Sequence, residues 1–344
     1  MRSRWGTLGL CFLCAVAAAS SAGAADGGTI AGLSRALAVE ESRSGARSPH
    51  LLPLLERLAG AQFDDGALAE AAASRWRALK IALTAYGSDS ANAARAMTAL
   101  AEIDILDRNY LDAEPLLTTA TNVLSARLGT ENPALAEPVA KLARVALARG
   151  DLKLAESLAV RAIALAARDP THPTEPLRVL GAVYAATERF DDGEAVLRRA
   201  IEQDRRARGD NSLEMARNLA QLANLLLRAR RFADALPPIE QAIAIDQARL
   251  GPAHPLIADD FCDLGLIYGG LERDTDASRT LIYAIGLLDQ GSAKETSRVA
   301  YAELDLAGIL RTMGYNDAAD VAFADAKRIL DQAEEEERQR EREL

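Results

Sequence analysis

Within residues 250 to 265, LGPAHPLIADDFCDLG, one histidine, three aspartates and a cysteine fall together: His254, Asp259, Asp260, Cys262 and Asp263. From such side chains a metal site or a thiol nucleophile is made. A zinc site needs about four converging ligands, and a nucleophilic cysteine needs a base held by a third group. The rest of the chain offers little to complete either. There are three histidines in 344 residues, and His50, His172 and His254 each adjoin a proline in separate stretches of sequence. The other two cysteines, Cys11 and Cys14, lie in the first 25 residues. Helical spacing puts Asp259 and Asp263 on one face, so the acids read as a solvated surface and His254 as turn punctuation. The sequence has no GxxxxGK, GxSxG or HExxH, and no GxGxxG after a strand. No catalytic residue, metal ligand or cofactor is therefore assigned, and a thiol-dependent enzyme using Cys262 stands only as the alternative from the enzyme class.

The opening MRSRWGTLGLCFLCAVAAASSAGAA places Arg2 and Arg4 before an uncharged run that ends in Ala22-Gly23-Ala24. That is the pattern of a secretory signal peptide, residues 1–24, and it implies a periplasmic or secreted protein. Left uncleaved, the same run would tether the chain to a membrane. Leu10 and Leu13 occupy the places where lipid attachment at Cys11 or Cys14 would require small residues. The whole chain has 40 basic and 50 acidic side chains, a formal charge of -10. Without Arg2 and Arg4 the balance is 38 against 50, or -12, and such a chain lacks the basic footprint of a nucleic-acid binder. One remaining cysteine makes no internal disulfide, so stability must come from packing.

The elements that would position any site emerge from internal repetition. Leu264 and Gly265 are followed by Tyr268, Ala277, Leu281 and Ala284, and the same large and small spacing recurs as Leu222, Ala223, Leu226, Ala235, Ile239 and Ala242. Leading leucines fall at 58, 100, 142, 180, 222, 264 and 306, at intervals of 42, 42, 38, 42, 42 and 42 residues. Small residues let paired helices approach while large ones fill the space between pairs. The pattern predicts an all-α fold, an α-α superhelix of about seven helical hairpins.

This spacing resembles the tetratricopeptide repeat (TPR), and the period near 42 with Leu-Gly followed by a proline is similar to the longer kinesin-light-chain-type variant. The resemblance covers residues 47–331 as a TPR solenoid, with 25–46 a linker or N-terminal helix and 332–344 a charged C-terminal extension, DQAEEEERQREREL from Asp331. Gln62 and Arg75 replace apolar positions in the first copy, as expected of a polar cap, and Asp104 replaces one in the second.

A repeat scaffold of this kind implies a non-enzymatic protein-protein interaction scaffold, which holds a peptide or helix in its concave groove. A membrane-tethered assembly factor of the cell envelope is the alternative. Projecting the first helix of each repeat inward, as in the family, brings Arg144, Arg178, Arg217, Asn224 and Arg228 to the groove, with Glu137 and Glu175 partly offsetting them. The implied partner is a protein or peptide presenting an acidic or C-terminal carboxylate segment, with no nucleic acid and no membrane unless the leader is retained. Ala235 is expected to be packed and Asp246 exposed.

Overall fold

The computed structural model describes residues 28–106, 108–168, 174–289 and 297–343. Its first helix, α1 (Ile30–Ser44), leads into α2 (Leu52–Asp64) paired with α3 (Leu68–Tyr86). Further hairpins follow as α4 (Ala91–Leu106) with α5 (Tyr110–Leu128), α6 (Ala136–Ala148) with α7 (Leu152–Ala166), and α8 (Glu175–Ala186) with α9 (Phe190–Arg208). The last three are α10 (Leu213–Arg228) with α11 (Phe232–Leu250), α12 (Ala258–Gly270) with α13 (Asp274–Asp289), and α14 (Ser297–Thr312) with α15 (Asn316–Glu343). The seven expected hairpins are present, and the described residues contain no strand. The leader, residues 1–24, and His172 lie outside the described residues.

Small residues sit where the helices meet. Ala71, Ala113, Ala155, Ala235, Ala277 and Ala319, one at the same place in each second helix except α9, are all fully buried. Gly193 holds that place in α9, and a Cβ there would run into Leu225. The glycine of each Leu-Gly doublet is equally constrained: a Cβ on Gly181 or Gly265 would come 2.6 Å from Leu197 or 2.7 Å from Leu281. Leu117, Leu197, Ile239 and Leu281 are wholly buried, yet Phe323 at the same position of α15 is 45% exposed. No later hairpin among the described residues covers it. The polar departures in the first copy find partners, since Ser74 donates to Gln62 at 2.7 Å and Arg75 to Glu102 at 3.0 Å.

Punctuation is regular. Gly45, Gly87, Gly129, Gly209 and Gly251 end helices at positive φ, which a residue without Cβ adopts at no steric cost. Ser48, Asn132 and His254 each precede a proline and cap the short 3-10 turns Pro49–Leu51, Pro133–Leu135 and Pro255–Ile257. The reading of His254 as turn punctuation holds: its Nδ1 accepts the Leu256 N–H at 3.2 Å.

First helices of successive hairpins touch directly, as α6 does α8 and α8 does α10, while no contact of that extent joins successive second helices among the described residues. The stack therefore bends with its first helices inside. The bend is tight enough for the chain to meet itself. A Cβ on Gly66, in the α2–α3 turn, would lie 3.2 Å from His254 Nε2 and 3.4 Å from Pro255 Cδ. Beside it Leu256 packs on the cluster of Phe63, Ala71 and Ile103. One hairpin further along, the Arg108 guanidinium stands 5.7 Å from the ring centre of Tyr301.

Candidate functional site

The inner surface is built around a buried lysine. Lys141 in α6 is 2% exposed, and its Nζ lies 3.4 Å from Glu102, 3.5 Å from Glu137 and 3.6 Å from Glu175. Burial opposes its charge, but Glu175, Glu102 and Glu137 outweigh that penalty and hold the Lys141 pKa above its ordinary value. Glu175 shows the converse: burial would raise its pKa, but Lys141, Arg178 and Arg144 together pull it down to about 2. A charge taken from water survives only with such compensation.

Of the five residues projected from sequence, three are engaged by neighbouring first helices. Arg144 lies 3.4 Å from Glu175. Arg178 is half-buried, donates to Asn218 Oδ1 at 3.5 Å, and has its pKa lowered to about 10 by burial and by the nearby Arg217 and Arg144 charges, against the pull of Glu175. Asn224 donates to both carboxylate oxygens of Asp263, at 3.2 and 3.0 Å. Arg217 is exposed, with Glu214 at 3.8 Å, and Arg228 is exposed without an ion pair among the described residues. Arg144, Arg178 and Arg217 thus form one electrostatic neighbourhood across α6, α8 and α10. Arg228 lies three turns along α10 from Arg217. Glu137 and Glu175 do offset the group.

Beyond Asn224 the lining turns acidic, and here two readings are corrected. Asp246 is not an exposed residue: it is 9% exposed and shares a hydrogen bond with Asp260 across α11 and α12. Nor are Asp260 and Asp263 a solvated face, since both are half-buried while Asp259 alone is exposed. Burial raises Asp263 to about 7, with Asp259 and Asp305 adding to the rise, and raises Asp246 to about 6. Burial and the Asp246 charge push Asp260 well up as well. Two carboxyls in contact are stable only while they share a proton. Cys262, between them, has its thiol pushed up to about 12 by burial and by Asp259, Asp263 and Asp305. A reactive thiolate needs the opposite environment.

Residues 175–248, covering α8 to α11, match the family model of the tetratricopeptide repeat. Helices α8 to α11 are built as tetratricopeptide repeats, and the other hairpins repeat their spacing. Among solved structures, the TPR solenoid is similar to BtubC (BKLC) from P. vanneervenii, with 20% identity and a TM-score of 0.53 over 67% of this chain and 92% of that one. It is also similar to the Cut9–Hcn1 hetero-tetramer of APC/C, at 14% identity and a TM-score of 0.57, over 80% of this chain but 46% of that one. The apo form of RapI matches at 15% identity and a TM-score of 0.51, over 82% and 77% of the two chains. Identities this low speak to the fold alone. Among curated proteins none matches significantly.

Sequence reasoning about the TPR groove missed Lys141, one residue before the leading Leu142. Its signal was available: a lysine beside an otherwise apolar doublet, with Glu137 four residues earlier on the same face. The Asp246–Asp260 pair had none, because the two acids belong to different hairpins.

Proposed function

We propose that this TPR solenoid is a non-enzymatic interaction scaffold that holds a segment of another protein against its first helices. The segment presents an acidic side chain or a C-terminal carboxylate to Arg144, Arg178 and Arg217, with Arg228 further along. The observation that carries this reading is the adjacency of those three arginines on three successive inner helices of an otherwise acidic chain. Guanidinium groups hold carboxylates bidentately, and Arg217 and Arg228, both exposed, are the ones with capacity to spare. In keeping with a role in assembly, Cut9, similar in fold, occurs in a hetero-tetramer with Hcn1. The signal-peptide pattern of residues 1–24 supports action in the periplasm or outside the cell.

The test is affinity for a partner captured from the cell-envelope fraction, measured for the parent chain and for Arg217→Ala/Arg228→Ala. Both replaced side chains are exposed, so the melting temperature is expected to stay the same. A loss of roughly tenfold or more, larger at low salt, is the expected result for a partly exposed charge contact. Undiminished affinity in the folded double variant would refute the groove. Mass spectrometry of the mature N-terminus separates the exported reading from the tethered one: cleavage after Ala24 supports release, and a retained Met1 supports a membrane-tethered assembly factor of the cell envelope.

A further inference from the structure

Every hairpin turn of the solenoid contains one residue in the left-handed region: Gly66, Arg108, Gly150, Glu188, Arg230, Glu272 and Gly314, at φ between 58° and 82°. These residues follow their leading leucines by eight positions, so they are equivalent in fold. The first two carry the contacts by which the chain meets itself. Gly66 of the first turn abuts His254 and Pro255 at the entry to the sixth hairpin. Arg108 of the second turn stacks on Tyr301 in the seventh. Both contacts link a hairpin to the one five further on, so one superhelical turn takes five hairpins, and the first two overlie the last two.

The two kinds of packing in the molecule differ in extent. Along the chain, each helix lies against its neighbours over its length. Among the described residues, the apolar contact across the seam is made by Leu256 on the edge of the Phe63, Ala71 and Ile103 cluster and by Pro255 beside Gly66. To it are added the Gly66–His254 approach and one cation–π contact. His254 is 6% exposed, and its Nε2 is left without a hydrogen bond at this seam. Asp64 faces it from the first hairpin, its pKa raised by burial against the opposing pull of Arg217 and His254, while burial lowers that of His254. Regions with few buried apolar contacts open first.

We propose that the α2–α3 turn and the His254–Leu256 turn form a clasp, which holds the solenoid as a closed ring and whose release opens its inner surface. The clasp stands independently of the peptide-binding reading, because it concerns the free chain.

The equivalent turns supply a test, because they already hold Arg108 and Arg230 in the left-handed region, at φ of 58° and 59° against 77° at Gly66 and 78° at Gly150. Gly66→Arg therefore carries the left-handed strain that Arg108 and Arg230 already bear, and in addition its Cβ would press on His254 at 3.2 Å. Gly150→Arg places the same residue in the same backbone geometry where nothing lies within 4 Å. Hydrogen exchange read by mass spectrometry and small-angle scattering are measured on the full chain and on both variants. Gly66→Arg is expected to speed exchange roughly tenfold or more in residues 61–72 and 252–258 and to enlarge the radius of gyration, with residues 136–166 unchanged. Gly150→Arg is expected to do neither. If the two variants behave alike, or if Gly66→Arg leaves both segments as protected as in the parent, the clasp is refuted. Should Gly66→Arg fail to fold, Leu256→Ser decides: faster exchange at 61–72, nearly two hundred residues away, supports the clasp, and unchanged exchange overturns it.

Discussion

Lys141 and the aspartates of α11 and α12 show two ways in which an inner surface tolerates ionisable side chains. Lys141 is compensated by three carboxylates, so Lys141→Met is expected to leave them mutually repelling and to cost about 3 to 5 kcal/mol. A loss below about 1 kcal/mol by chemical denaturation would mean the group behaves as a surface pair. Asp263 is accommodated by holding its proton. Its pKa is raised from 3.8 to about 7, so the folded state favours the protonated form. That contribution is fully present below the ordinary value and is lost as pH rises through the folded one. Asp263→Asn cannot ionise and keeps an acceptor for Asn224, so its melting temperature should match the parent near pH 4 and exceed it by a few °C at pH 8. A difference independent of pH would contradict the assignment. His254 was legible as a cap because a proline follows it. Asp246 was misread because an acid on a second helix looks like surface, and only its contact with Asp260 of the next hairpin makes burial tolerable.

At the scale of the element, periodicity carried most of the information, since one degenerate copy says little and seven in register fix which residues meet. Ala235 illustrates the rule: it is fully buried between α10 and α11, and Ala235→Leu is expected to overpack that hairpin by about 1 to 3 kcal/mol. A melting temperature equal to the parent's would mean the helices can part there. The turns carry strain that the sequence did not advertise. Glu188 and Glu272 adopt φ of 58° and 61°, a conformation that costs a side chain about 1 to 2 kcal/mol and glycine almost nothing. Glu188→Gly should raise stability by about 0.5 to 1 kcal/mol once glycine's greater freedom in the unfolded chain is deducted. A fall would show that the Glu188 side chain makes contacts of its own. Nothing in the spacing distinguishes these positions from Gly66, Gly150 or Gly314, because the turn geometry is set by the helices it joins.

The whole molecule was the least legible scale. Helix content and stacking order follow from nearest neighbours, but the contact of Gly66 with His254 joins positions too far apart to leave a periodic trace. Circular dichroism of residues 25–344 should be strongly helical and indifferent to a chelator, and loss of helix on adding one would contradict a fold resting on packing alone. An array bound only by adjacent units can gain or lose one unit with little penalty, because its stability is close to a sum of unit and nearest-neighbour terms. The five-hairpin offset withdraws that freedom. Excising a single unit between the second and fifth hairpins would bring Gly66 opposite a different turn and set Arg108 beyond Tyr301, however well the cut ends rejoined. Contact across the seam thus ties the number of repeats in this chain to closure, as the circumference of a wheel constrains its spokes.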